Sequence, residues 1–329
     1  MARFRMVVLG DSLQWGQGLL EKDKFTTLVK NRIAADLGAT VILKSYARSG
    51  AHAAKKTTLS EQWQETGSNE DFNTGNYWGE LGRHGNPTVQ AQITRFISEE
   101  RQRRLGVNLF LVDGGINDVG VFKIVDPATL WGTDPAILHQ RWSNVCFKKM
   151  SNILYRIAKV IGPVPVVVTG YYPIFSSDSA RELARIWLLQ LNISMLPVVT
   201  SGILAQQLTK LSKIWAAVSK EGLKKAVDEA NQQYAPASGP CFGYAHVAFQ
   251  PENCVFASKP WLWGLKPTLT PEDPLWEQRA ARAMTYAGYD AFDKVVAAYA
   301  SVGHPNRTGA QQYYKAVAET LVGLGVLPA

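Results

Sequence analysis

Gly10-Asp11-Ser12-Leu13 follows a short apolar run, Met6 to Leu9. A serine at the sharp turn where a strand ends projects its hydroxyl from the top of a sheet, and its own backbone N–H can face an anion there. Ser45-Tyr-Ala-Arg-Ser49-Gly50-Ala51 follows a second run, Val41 to Leu43, and a glycine in such a turn lets the backbone approach a ligand and present an N–H. Asp113-Gly114-Gly115-Ile116-Asn117-Asp118 follows a third run, Val107 to Val112. The Asn117 amide is a donor suited to an oxygen that turns negative during a reaction. Gly303-His304-Pro305-Asn306 sets an imidazole on a stiff loop, because Pro305 fixes the chain beside it and Asn306 or Thr308 can cap the helix that follows. Serine and imidazole are a nucleophile and its base, and N–H donors around them would hold the oxyanion of a tetrahedral intermediate, which is the chemistry of acyl transfer. Taken singly, each block is an ordinary turn.

The elements that must position these blocks are legible as a rhythm. Apolar runs at 6–9, 41–43, 107–112, 164–168 and, more weakly, 245–249 alternate with helical patterns, as strands buried on both faces of a parallel sheet do. The first connection predicts a helix from Phe25 to Leu37 capped by Gly38, giving a right-handed strand-helix-strand unit. A last helix is expected from about Ala310 to Leu321. Parallel sheets of this kind place ligands at the carboxyl ends of their strands, where all four blocks fall.

Residues 1–329 read as one domain with two insertions, about 52–88 and about 176–240. In the second, Leu204, Leu208, Leu211, Trp215 and Val218 recur at helical spacing. That stripe predicts an amphipathic helix, either a lid over an acyl pocket or a helix packed on the body.

Composition narrows the field. A hydrophobic content of 46% argues against disorder, and no apolar stretch is long enough for a membrane-spanning helix. The run from Met6 to Leu9 is too short for the core of a signal peptide, so a cytoplasmic chain is the default and a leader upstream of this sequence the alternative. The net charge of +8 is spread over short pairs such as Arg103-Arg104 and Lys224-Lys225. This favours a solvated surface, with peripheral contact to anionic lipid as the alternative, over a nucleic-acid groove. Three cysteines permit one disulfide, with Cys241 and Cys254 the nearer pair in an oxidising compartment and free thiols the plainer reading. No cysteine or histidine cluster suggests a metal.

The four blocks, in this order, resemble the GDSL or SGNH family of serine esterases and lipases, from about Phe4 to Leu321 and outside the two insertions. The resemblance implies an α/β fold, a three-layer α/β/α sandwich on a flavodoxin-like five-stranded parallel sheet in order 2-1-3-4-5. It implies hydrolysis of carboxylic esters, lipid or small-molecule, with no metal or organic cofactor. Carried onto this chain, Ser12 is the nucleophile, His304 the base, and the Ser12 and Gly50 N–H groups with the Asn117 side chain form the oxyanion hole.

The chain departs from the family in one place. The base usually follows Asp-x-x, and here Ser301 stands three positions before His304. The group that orients the imidazole could be Asp290 or Asp293, both expected to be exposed on the preceding helix, the Ser301 hydroxyl, or a backbone carbonyl. Asp11 and Asp118 sit inside turn motifs and are read as acceptors for backbone N–H groups. Trp15, Tyr171, Tyr172, Phe175 and the Trp261 to Trp263 stretch are candidate walls of an acyl pocket, which favours esters of short to medium chains; a lidded lipase or phospholipase is the alternative. From a different class, a ligand- or carbohydrate-binding pseudoenzyme would keep the cleft without the chemistry. A dinucleotide enzyme is not supported, because Gly10, Gly16 and Gly18 lack the G-x-G-x-x-G spacing.

Overall fold

The computed structural model describes residues 2–53, 87–99, 106–179, 201–285 and 290–329. Five strands, β1 (Arg3–Leu9), β2 (Thr40–Ser45), β3 (Leu109–Val112), β4 (Val166–Thr169) and β5 (Phe242–Ala245), form one sheet in the order β2-β1-β3-β4-β5. Every pairing is parallel. β3 and β4 are buried along their whole length, as their continuous apolar sequences require.

Helices cover both faces. Phe25–Leu37 and Arg307–Gly323 pack on one, and Val89–Glu99, Pro135–Ile161 and Ser201–Tyr234 on the other, which makes the three-layer α/β/α sandwich. Their apolar faces and the sheet merge into one core. The Phe25–Leu37 helix ends where expected, with Gly38 at φ +57° as its left-handed cap. Asn306 caps the last helix by accepting from the N–H groups of Thr308 and Gly309.

One expectation changes, and at two places the plainer of two alternatives is the one found. The fifth strand lies at 242–245, three residues before the apolar run that suggested it. Gly243 interrupts the apolar pattern because a Cβ there would stand 2.4 Å from Thr320 Cγ2 of the last helix. The stripe Leu204, Leu208, Leu211, Trp215 and Val218 belongs to the long helix Ser201–Tyr234 and is sunk in the core, so this helix packs on the body as a layer of the sandwich. Gly222 lets it approach the Pro135–Ile161 helix, since a Cβ there would meet Ser143 O at 2.5 Å. Cys146, Cys241 and Cys254 are all free thiols, so the Cys241–Cys254 bridge is not formed. Residues 54–86 of the first excursion and 180–200 of the second lie outside the described residues.

Candidate active site

The first loop is built around two buried carboxylates. Asp113, at the end of β3, accepts from the Asp11 N–H (2.6 Å) and the Gln14 N–H (3.0 Å), and Asp11 accepts from the Leu13 N–H (3.1 Å). These bonds satisfy the open N-terminus of the one-turn helix Ser12–Trp15 and aim it. Gly10, at φ +150°, has no alternative here: a Cβ would stand 2.0 Å from Asp113 Oδ1. Gln92, buried on the Val89–Glu99 helix, accepts from Gly10 N–H (2.8 Å) and donates to Gly10 O (2.9 Å). Its side-chain amide thus imitates a neighbouring strand.

Ser12 stands on this support, and its Oγ lies 2.7 Å from His304 Nε2. The histidine loop is held by an antiparallel strap. Trp263 N–H donates to His304 O (2.7 Å), Gly303 N–H to Trp263 O (2.9 Å) and Asn306 N–H to Trp261 O (2.9 Å). Burial and, after it, the positive charge of Arg279 press the His304 pKa down to about 4, although the backbone of Ser301, Ala300 and Val302 favours the charged ring. The imidazole is therefore neutral at pH 7.

The other two blocks converge on the same end of the sheet. Arg48 N–H donates to Gly10 O (3.1 Å), which lays the Gly50 loop beside the serine loop. Asn117 Nδ2 donates to Ala51 O (2.9 Å), and Ala53 N–H to Asp118 Oδ2 (2.7 Å). The contact to Ala51 uses one of the two N–H groups of the Asn117 amide and leaves the second for another acceptor. Gly50 adopts φ +75°, a conformation that favours glycine. Asp11 and Asp118 act as backbone acceptors, as their turn positions suggest.

None of the side chains offered as orienting groups is hydrogen-bonded to the ring, and the backbone of Ser301, Ala300 and Val302 faces it instead. His304 Nδ1 is buried and makes no hydrogen bond among the described residues. Asp290 is exposed and caps the Ala291–Ala298 helix through the Asp293 N–H (2.7 Å). Asp293, expected to be exposed, is buried. The Ser301 hydroxyl donates to Asp273 Oδ2 (2.5 Å) and accepts from Arg279 Nη2 (2.9 Å).

The proposed pocket walls also need correction. Trp15, Tyr171, Tyr172 and Phe175 are buried in the core and do not line an open cleft. Tyr172 stacks on Phe249 with ring centroids 5.1 Å apart, and the Tyr171 hydroxyl donates to Asp11 Oδ2 at 2.5 Å. Trp263 is partly exposed and borders a surface pocket with Glu272, Pro274, Asn306, Arg307 and Thr308.

Asp113, Gln92, Asp273 and Arg279 are structural partners of the site that sequence reasoning missed. Asp113 lies inside a recognised block and could have been found there. The other three carry no motif and join the site only through the fold.

The carboxylates hold protons unusually well. Burial raises Asp11 to about 6, against the opposing hydrogen bond from Tyr171, and burial with the adjacent Asp11 charge raises Asp113 well above the carboxylate range. Among the described residues, no group of histidine, cysteine and acidic side chains is arranged to hold a metal ion. None of the helices described is long and apolar enough to cross a membrane.

No family model matches the chain, and no curated protein does. Solved structures similar to it include an extracellular lipase from Streptomyces rimosus, 13% identical over 96% of this chain and 99% of that one, with a TM-score of 0.47. A phospholipase A1 from Streptomyces albidoflavus is 14% identical over 97% and 100%, with a TM-score of 0.48. A psychrotrophic esterase from Pseudoalteromonas is 10% identical over 97% of each chain, with a TM-score of 0.35. At these identities and TM-scores the likeness is one of outline, and the chemistry rests on the site's own atoms.

Proposed function

We propose that this chain is a carboxylic ester hydrolase that works by acyl transfer, with Ser12 as nucleophile and His304 as general base. The observation that supports this most directly is the 2.7 Å contact between Ser12 Oγ and His304 Nε2, made by a serine on a braced loop and a histidine on a strapped one. In the first step Nε2 takes the hydroxyl proton as Oγ attacks the ester carbonyl. The tetrahedral oxyanion is held by the N–H groups of Ser12 and Gly50 and the free N–H of Asn117. The protonated ring then gives its proton to the leaving alcohol. Water, activated by the same nitrogen, releases the acyl group from Ser12.

A ring with a pKa near 4 is in the right form at pH 7 but is a weaker base than an ordinary histidine. Of the aromatic residues first considered for the acyl pocket, Trp15, Tyr171, Tyr172 and Phe175 lie in the core, which leaves Trp261 and Trp263 as the partly exposed candidates.

The test is Ser12→Ala with a short p-nitrophenyl ester and, separately, a fluorophosphonate probe. Activity should fall by on the order of 10³-fold or more, and labelling should vanish. Undiminished hydrolysis by the variant would remove Ser12 from the mechanism. A wild-type chain that neither hydrolyses esters nor takes the probe would favour a binding module that only keeps the cleft.

A further inference from the structure

The position where a triad carboxylate would stand holds Ser301, and behind it lies a buried ionic network. Asp273 Oδ1 accepts from Leu275 N–H (3.0 Å) and Arg279 Nη1 (3.0 Å), while Oδ2 accepts from Arg279 Nη2 (2.7 Å) and the Ser301 hydroxyl (2.5 Å). Arg279 also donates through Nη2 to Ser301 Oγ (2.9 Å) and through Nε to Ala298 O (3.1 Å). Asp273, Arg279 and Ser301 are 2%, 0% and 0% exposed, so a charged pair is sealed from water directly against the loop that carries the base. An ion pair so fully desolvated stabilises a fold little compared with an apolar replacement, so stability alone is a poor reason for it.

The network touches both halves of the site. On one side, Ser301 O accepts from His304 N–H (2.8 Å), and the backbone of Ala300, Ser301 and Val302 faces the imidazole. On the other, Gly18, just beyond the serine loop, comes so close that a Cβ on it would be 2.8 Å from Ser301 Cβ and 3.0 Å from Asp273 Cβ.

We infer that Asp273 and Arg279, acting through Ser301, are positioning residues for His304: they hold the 300–302 backbone against the imidazole, where no carboxylate among the described residues contacts the ring directly. Neither touches the reacting atoms. Asp273 is not itself the missing triad member, since each of its oxygens is already engaged by two donors and its charge is offset by Arg279. The charged groups concerned are few. Arg279, from the helix Trp276–Thr285, acts on the ring through its field, Asp273 from the preceding loop is its counter-ion, and Ser12 faces the opposite nitrogen.

This inference rests on the hydrolase reading, and its test separates the two. Ser12→Ala run in parallel reports on the reading itself: a fully active Ser12→Ala refutes that, whatever the network does. For the network, Ser301→Ala, Asp273→Asn and Arg279→Met are compared with wild type by kcat, KM, the acid limb of kcat/KM and thermal unfolding. Misplacing the base should lower kcat by on the order of 10- to 10²-fold with KM within about twofold. The acid limb should move in opposite directions, down for Asp273→Asn, where Arg279 loses its counter-ion, and up for Arg279→Met, where the repelling charge is gone. Ser301→Ala keeps the ion pair but removes its link to the 300–302 backbone, and serves as the deciding variant if either charge variant fails to fold. The inference is overturned if the folded variants are only less heat-stable, with kcat and acid limb equal to wild type, while Ser12→Ala is inactive.

Discussion

Lowering the pH of an ester-hydrolysis assay protonates the base, and the His304 environment sets where that happens. An ordinary histidine, at 6.5, would be about 3% neutral at pH 5, whereas a ring held at about 4 is about 90% neutral there. The rate of the first acylation step at pH 5, relative to pH 7, should therefore be about twentyfold higher than for an unperturbed imidazole. The assay is kcat/KM for a neutral ester between pH 3.5 and 8, with circular dichroism at each pH to confirm that the protein is folded. The acid limb should fall near pH 4.

Stability in this window has two opposing parts. The depressed His304 contributes up to about 3 kcal/mol that is present above pH 6.5 and lost as the pH falls through about 4. Asp11 and Asp113 run the other way, because their raised values add stability in acid that is lost as the pH rises, for Asp11 through about 6. The carboxylates thus counter the histidine between pH 6 and 4. An acid limb between pH 6 and 7 in a folded protein would refute the argument, since it would mean that neither burial nor Arg279 governs the ring.

Three further outcomes follow from the same geometry. Asn117→Ala should lower kcat by about 10²- to 10³-fold with little change in KM, as loss of one oxyanion donor does, measured by steady-state kinetics. Gly10→Ala should cost about 3 kcal/mol or more, read as a shifted denaturant midpoint, because the new Cβ would meet Asp113 Oδ1 in a backbone conformation that disfavours side chains. Burial raises the thiols of Cys146, Cys241 and Cys254, the last to about 11, so native protein should react slowly with a thiol reagent and unfolded protein rapidly at all three positions. With no disulfide present, a reducing agent should leave Tm unchanged.

The serine, glycine and asparagine blocks were readable because each sits in a short local pattern after a strand, and the histidine block because Pro305 and Asn306 mark the start of the last helix; the sheet order came with the resemblance they carried. The support behind them was not. Gln92 reaches Gly10 across 82 positions and Asp113 reaches the Asp11 N–H across 102, distances at which local pattern carries no information. Tyr171 and Tyr172 were misjudged for a related reason: an aromatic residue after a strand suits a pocket wall or a core, and only packing against Trp215, Phe249 and Tyr313 decides. The amphipathic helix was found correctly, but its stripe says only that something covers it, and that something is chiefly the Pro135–Ile161 helix, with the edge strand β5.

The proposed catalytic pair joins residues 292 positions apart, and this has a consequence in time. During synthesis the serine loop emerges early, yet it remains chemically idle until the segment around His304 has left the ribosome and docked on the Trp261–Trp263 strap. Hydrolytic competence is thus one of the last properties the chain acquires as it folds. Recovery of activity after dilution from denaturant should lag behind recovery of helical signal, and the lag would measure how long this most distant closure takes.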